Sequence, residues 1–225
     1  INYEGTILFS AFSEPTMHKG LNDLIQLKQE ILPVANLDMV SNGDTFKNNP
    51  RKLLSYFESG ANRISISLYD GKEQYEEFLK IRNELGLDEN RLPLRRRYFE
   101  NGNYGMTISN RAGLIDSNKY RDQSEKKVDT PELPLKKSCF YPSYQLLVDY
   151  NGDVLLCPHD WEKKYIVGNI KEKTIWEVWT GKRMEAARKL LAKKDRRFGP
   201  CANCDVHGDV MGIENFNAWE EYYKS

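Results

Sequence analysis

The four cysteines of this 225-residue chain fall into two pairs. Cys139 and Cys157 flank a predicted β-hairpin whose turn is Asn151-Gly152, and Cys201 and Cys204 form a C-x-x-C beside proline, glycine and a polar loop. Thiolate is the ligand form of cysteine, and soft thiolates select zinc or iron–sulfur clusters over hard cations. Two pairs suffice for one four-thiolate centre, and no cysteine is left for a second. One centre of this kind obliges the two pairs to meet in space, which constrains the fold more than any other feature.

Composition bounds the rest. Lys and Arg number 33 and balance 33 Asp and Glu, so no global field attracts nucleic acid or a membrane surface. No run of about 18 apolar residues appears, and no membrane span or signal peptide is expected. Four cysteines in 225 residues favour a cytoplasmic metal site over a disulfide scaffold. Two disulfides in a secreted protein remain the alternative. The length suits one large domain, or one domain with a small appendage. The chain opens on Ile1 inside what reads as a strand, so it is expected to be a fragment of a longer protein.

The first half alternates strands and helices. Gly5 to Phe9 reads as a buried strand, and Leu21, Leu24, Ile25, Leu27, Ile31 and Leu32 recur at helical spacing. A strand over Leu37 to Val40 is closed by Ser41-Asn42-Gly43. A short helix follows around Leu53, Leu54 and Phe57, then a strand Arg63 to Leu68. Tyr75, Phe78, Leu79 and Leu85 mark another helix, and Leu92 to Phe99 a fourth strand. This alternation implies parallel β-α units whose functional loops lie at the C-terminal strand ends: Ser10 to Pro15, Ser41 to Asp44, and Tyr69 to Gly71. Asp116 to Lys137 is rich in Asp, Glu, Lys and Pro and reads as a linker or mobile loop. Beyond it, Gln145 to Asp149 and Val154 to Cys157 form the hairpin, with Asn151-Gly152 supplying both positive φ angles of a type I′ turn. A helical pattern returns over Thr174 to Lys193.

Small residues after the first strand, Phe9-Ser-Ala-Phe-Ser-Glu-Pro15, let backbone groups approach a ligand. A glutamate or a free carbonyl there can hold an ammonium group, although Ser-Glu-Pro is equally an ordinary helix start. Ser67-Leu-Tyr-Asp70-Gly71 ends another strand, where a serine and an aspartate can bond ribose hydroxyls or simply cap a helix.

The order of these parts resembles the radical S-adenosylmethionine (SAM) superfamily with a C-terminal SPASM/twitch domain. A G-G-E-P-like loop (Ser10-Ala-Phe-Ser-Glu-Pro15) is followed by Ser-Asn-Gly and then Ser-Leu-x-Asp-Gly at successive strand ends. After them come Cys139-x12-Gly152-x4-Cys157-Pro-His-Asp160, Gly168-Asn169-Ile170, Ile175-Trp-Glu-Val-Trp179 and the C-x-x-C. The resemblance implies an α/β fold: a partial (β/α)6 barrel over 1–115 lacking its first β-α unit, a linker or last barrel elements over 116–137, and a twitch domain with a β-hairpin and a helix over 138–225.

Carried over residue by residue, the resemblance assigns Cys139, Cys157, Cys201 and Cys204 to one auxiliary [4Fe-4S] cluster. Ser13, Glu14 and Pro15 match the loop that meets the methionyl amino group of SAM, Asn42 lies at the next strand end, and Ser67 matches the polar residue near the ribose or carboxylate. One of Arg95, Arg96 and Arg97 would pair with the SAM carboxylate. Alternation puts Arg95 and Arg97 on one face and Arg96 on the other, without saying which faces inward; a solvated strand edge is the other reading. Arg111 of Asn110-Arg-Ala-Gly113 would contact substrate or sit in a surface turn. Asp160 would hydrogen-bond near cluster or substrate, or cap a turn. His159 and His207 are reserve ligands.

The C-x3-C-x2-C motif that holds the SAM-reducing cluster in this superfamily is not in the sequence, and the resemblance places it, with a second [4Fe-4S] cluster, on a segment upstream of Ile1. The expected activity is that of a radical SAM oxidoreductase. A 5′-deoxyadenosyl radical takes a hydrogen atom from a small-molecule or peptide substrate, the auxiliary cluster accepts an electron or else holds or orients the substrate, and a flavodoxin or ferredoxin is the electron donor. The rival readings are a non-catalytic module with a structural four-cysteine zinc site, and a pseudoenzyme. Zinc ribbons usually pair two C-x-x-C knuckles, which the long Cys139–Cys157 interval does not supply.

Overall fold

The structure, a computed structural model, describes residues 3–121 and 131–224. It divides into two compact units, Ile1–Thr107 and Ile108–Ser225.

The first unit is built on a four-stranded sheet of order β1-β2-β3-β4, all pairs parallel. Its strands are β1 (Thr6–Phe9), β2 (Asn36–Ser41), β3 (Arg63–Leu68) and β4 (Leu94–Arg96). Between them run α1 (Leu21–Ile31), α2 (Asp44–Lys47), α3 (Lys52–Glu58) and α4 (Lys72–Glu84). Strand side chains alternate between faces, so each register pair shares a side. Leu37, Met39, Ile64, Ile66 and Leu68 lie on one face, in a core completed by Ile25, Leu53, Tyr56 and Phe78 from the helices. The other face carries polar groups from every strand, with Asp38 in register with Arg63 and Ser67 with Arg95. This two-sided patterning is what a parallel sheet covered by helices on one face requires.

Two strand expectations need correction. Thr6–Phe9 is not fully buried: Leu8 is 57 % exposed, because β1 is the end strand and only Ile7 and Phe9 pack against the core. The fourth strand is Leu94–Arg96, not Leu92 to Phe99. Pro93 has no N–H to give a ladder, and past Arg97 the chain folds back in a tight turn. There the backbones of Glu100 and Asn103 exchange hydrogen bonds of 2.9 and 3.2 Å around Asn101 (φ 50°) and Gly102 (φ 73°).

The second unit holds a three-stranded antiparallel sheet, β5 (Leu147–Val148), β6 (Asp153–Leu155) and β7 (Ile166–Asn169), in that order. Preceding it are α5 (Asn118–Arg121) and α6 (Tyr141–Tyr144); following it are α7 (Ile175–Trp179), α8 (Lys182–Ala192), α9 (Ile213–Asn217) and α10 (Glu220–Lys224). Val154, Leu156 and Val167 from the sheet pack on Val178, Met184, Ala187 and Leu191, and Cys201 joins this core. A smaller cluster unites Phe140, Ala192, Phe216 and Tyr223. Part of the expected 116–137 linker, residues 122–130, lies outside the described residues, and α5 occupies 118–121. Residues 108–115, which the sequence reading grouped with the first domain, fall in the second compact unit. Asn110 N–H donates to Asp205 Oδ1 at 2.9 Å and Ser117 Oγ–H to Asp205 Oδ2 at 2.9 Å.

The hairpin turn also differs from expectation. Gly152 has φ 90°, but Asn151 is not among the positive-φ residues, so this is not a type I′ turn. Gly152 N–H bonds Asp149 O at 2.9 Å and Asp149 N–H bonds Asp153 O at 2.8 Å, which makes a three-residue loop closed by a left-handed glycine. Asn151 instead spends its amide on the Asp153 backbone N–H and carboxylate, at 3.1 and 2.7 Å.

The single helix expected over 174–193 is two, because Thr180-Gly181 breaks it; Gly181 is extended (φ −69°, ψ 151°). The first of the two opens with a capping box, in which Thr174 Oγ1 accepts Glu177 N–H at 3.2 Å and Glu177 Oε2 accepts Thr174 N–H at 2.8 Å. Among the described residues no helix is long and apolar enough to cross a membrane. Thr174→Ala is expected to destabilise the second unit by about 1 kcal/mol, and Thr174→Ser much less. Urea denaturation checks this, and equal midpoints for both variants and the parent would remove the capping argument.

Candidate metal centre

The four cysteines sit on three short pieces of irregular backbone. Cys139 immediately precedes the short helix α6, Cys157 follows the end of β6, Cys201 lies in the 3-10 turn Gly199–Asn203, and Cys204 caps that turn. All four are free thiols, not two disulfides. Burial raises the pKa of each, that of Cys204 to about 11. They also raise one another: Cys201 and Cys139 act on Cys157, Cys139 and Cys204 on Cys201. A buried thiol that resists ionisation becomes a thiolate most readily when a cation takes the place of its proton.

Among the described residues no three His, Cys, Asp or Glu side chains close on a point as a single ion requires. The thiols feel one another's charge, and a donor set of thiols alone is one that iron–sulfur clusters take.

The loops are held together by backbone pairing around one buried arginine. Arg196 Nε–H donates to Lys137 O at 2.9 Å, Nη1 to Val206 O at 2.7 Å, and Nη2 to Ser138 O at 2.8 Å and to His207 O. Phe140 N–H donates to Gly208 O at 2.7 Å, and Lys137 pairs with Asp209 at 2.5 Å. The segment entering Cys139 is thus laid against the segment leaving Cys204. The approach at Gly208 is so close (φ 75°) that a Cβ there would stand 2.2 Å from Cys139 Sγ.

Asp160 is fully buried and caps a turn: Oδ1 accepts Lys164 N–H at 3.0 Å and Oδ2 accepts Tyr165 N–H at 2.8 Å. This shapes the loop after Cys157. His159 bonds Ser109 Oγ through Nδ1 at 3.1 Å and Tyr141 OH through Nε2 at 3.3 Å. Burial, and after it the Arg111 charge, push its pKa down to about 4, so the ring is neutral at pH 7. Arg111, with φ 50° beside Ala112 at φ 58°, lays its guanidinium 4.6 Å from the Trp161 ring centroid. His207 contributes its carbonyl to Arg196. Sequence reasoning passed over Arg196, Gly208, Asp205 and Tyr141. Arg196 stands in a run of charged residues that reads as a solvated helix end.

In the first unit the strand-end loops meet through Glu14. Its Oε1 accepts Thr16 N–H at 3.1 Å and Thr16 Oγ1–H at 2.7 Å, and its Oε2 accepts Asn42 N–H at 2.8 Å. Glu14 therefore ties the loop of Ser13 and Pro15 to the end of β2. Ser67, nearly buried, stands beside Arg95 in the ladder, on the face away from the helix-packed core. Arg96 turns away and bonds Glu100 O at 2.5 Å and Asn103 O at 3.1 Å. Alternation carries Arg97 to the side of Arg95, and its N–H bonds Leu68 O at 2.8 Å. An aromatic cleft of about 180 Å³, lined by Trp176, Trp179, Trp219 and Tyr223, includes none of the cysteines.

Gly208→Ala is expected to lower the iron bound per chain at least several-fold, since its methyl group would stand 2.2 Å from Cys139 Sγ and displace it. Gly86→Ala, equally left-handed (φ 64°) but with nothing within 4 Å of a Cβ, controls for backbone strain. Iron analysis after anaerobic reconstitution reads the difference; equal loss in both would rule out the steric cause.

Residues 139–205 match the family of SPASM iron–sulfur cluster-binding domains. Over 207 residues the chain is 25 % identical to the S-adenosyl-L-methionine-dependent 2-deoxy-scyllo-inosamine dehydrogenase of Niallia circulans, covering 91 % of this chain and 74 % of that protein. A crystal structure of BtrN in complex with AdoMet and 2-DOIA superposes with a TM-score of 0.73 at 24 % identity, over 95 % of this chain and 78 % of that one. BtrN in an open conformation gives 0.62 at 21 % identity, over 91 % and 73 %. These two solved structures share the fold. Residues 139–205 thus match a SPASM iron–sulfur cluster-binding domain, and most of the chain is similar in sequence to an S-adenosyl-L-methionine-dependent dehydrogenase.

Proposed function

We propose that this chain is the barrel and twitch portion of a radical SAM oxidoreductase that dehydrogenates a hydroxyl group on a small polar molecule. The observation that carries the reading is the set of four mutually interacting thiols, two buried and two half-buried, inside the matched SPASM segment. The curated relative is named a 2-deoxy-scyllo-inosamine dehydrogenase, and an aminocyclitol substrate there supports a small polyol or amino alcohol over a peptide. When bound, SAM supplies a hydrogen-atom acceptor and the cluster on Cys139, Cys157, Cys201 and Cys204 a one-electron acceptor. The alcohol carbon thus loses a hydrogen atom, an electron and the hydroxyl proton, and becomes a carbonyl.

The chain's own residues bind and orient. Ser13, Glu14, Pro15 and Asn42 form the loop pair for the methionyl end of SAM. Since the Glu14 carboxylate is committed to Thr16 and Asn42, backbone carbonyls of this loop take the ammonium group. Ser67 and Arg95, adjacent in the ladder, with Arg97 beyond, face the ribose and carboxylate; the arginine fork matches a carboxylate bidentately. Arg111 is the substrate contact, and Asp160 positions the loop after Cys157. A flavodoxin or ferredoxin is the electron donor.

Two measurements test this. Anaerobically purified protein is expected to contain an iron–sulfur cluster on these cysteines, with Cys201→Ala losing about four irons per chain and the matching absorbance. One zinc and no labile sulfide on these cysteines would replace the enzyme reading by the structural-zinc one. Arg95→Ala is expected to weaken SAM binding by about 2 kcal/mol in calorimetry, leaving the SPASM cluster spectrum intact. Unchanged SAM affinity would remove Arg95 from the site.

A further inference from the structure

Arg196 is the largest fully buried side chain of the described residues, 2 % exposed. Its four acceptors, the carbonyls of Lys137, Ser138, Val206 and His207, are all neutral. The carboxylates nearest in sequence are engaged elsewhere: Asp195 with Arg197, Asp209 with Lys137, Asp205 with Asn110 and Ser117. Among the described residues no ion pair joins a carboxylate to Arg196. A buried full charge is costly unless an opposite charge offsets it, and carbonyl dipoles do so only in part. The fork lies against the segments that carry the thiols: it bonds the carbonyl of Ser138, the residue before Cys139, and that of Val206, two residues after Cys204.

Four thiolates outweigh the positive charge of an iron–sulfur core and leave the loaded site anionic, more so after it takes an electron. A fixed cation beside it stabilises the reduced form more than the oxidised one. We propose that Arg196 is the buried counter-charge of the SPASM cluster, raising its reduction potential and thereby favouring electron uptake from substrate. This role rests on the four cysteines holding an iron–sulfur cluster. It is distinct from the stapling of the loops, which the same side chain performs through its hydrogen bonds.

Arg196→Lys and Arg196→Gln separate the two roles. Lysine keeps the charge but loses the planar fork; glutamine loses the charge and most of the donors. Iron and sulfide are first measured on the parent protein, and zinc or no iron at these cysteines would fail the cluster reading itself. With the cluster present, spectroelectrochemical titration of the SPASM centre is expected to give Arg196→Lys a potential close to that of the parent. For Arg196→Gln, the reduction equilibrium is expected to fall at least tenfold, about 59 mV for one electron. An unshifted Arg196→Gln, or an Arg196→Lys shifted as far as Arg196→Gln, overturns the proposal. If Arg196→Gln fails to load, Arg196→Lys decides: a loaded cluster at the parent potential supports the counter-charge, and failure to load leaves Arg196 as a staple only.

Discussion

The second unit depends on one guanidinium. Arg196 bonds carbonyls from 137–138 on one side and 206–207 on the other, and so brings together two stretches nearly 70 residues apart in sequence. Two of the four thiols are placed by that closure. Cys139 is the residue after Ser138, Cys204 lies two before Val206, and the Phe140–Gly208 hydrogen bond continues the pairing. Arginine suits the position because its fixed fork meets several carbonyls at once while remaining charged. The two remaining thiols reach the same place by other routes. Cys157 comes off a strand whose apolar side is buried by α7 and α8, and Cys201 is itself part of that core.

This unit has a modest apolar core for the irregular backbone it carries. Its sheet strands are two to four residues long, and its cysteines sit in loops. Such a domain draws part of its folding energy from the metal group it binds, because the site exists only in the folded state. Buried polar groups around the thiols are correspondingly spent on shape. Asp160 holds the loop after Cys157, Asp205 holds Asn110 and Ser117, and His159 bridges Ser109 and Tyr141 as a neutral ring. The first unit follows the same logic at its strand ends, where the Glu14 carboxylate is consumed in joining two loops.

Much of this was legible in the chain. The strand–helix alternation over the first hundred residues follows from short apolar runs separated by helical periodicity, and the register of β3 agrees with the expected span. The cysteine pairs were legible because thiols are rare and their chemistry is narrow. What sequence could not settle were choices between equally good local options. Asn151-Gly152 reads as a type I′ turn, yet the two-residue turn with both φ angles positive forms at Asn101-Gly102. At Asn151 the side chain found a better partner in Asp153, which fixed a longer loop.

The three consecutive arginines show the same division. Alternation in the sequence determined that Arg95 and Arg97 share a side and that Arg96 opposes them. Only the packed sheet decided which side is which, because the helices cover the face of Leu94 and Ile66 and leave Ser67 and Arg95 on the other. The sequence likewise determined that one four-thiolate centre was available, since cysteine number and thiolate softness are local properties. The tertiary structure alone decided what surrounds that centre: a glycine with no room for a methyl group, and an arginine from a charged run buried to the last atoms of its fork. Burial is a property of contacts between distant segments, and no local pattern in a run of Lys, Asp and Arg distinguishes the one residue that the fold encloses.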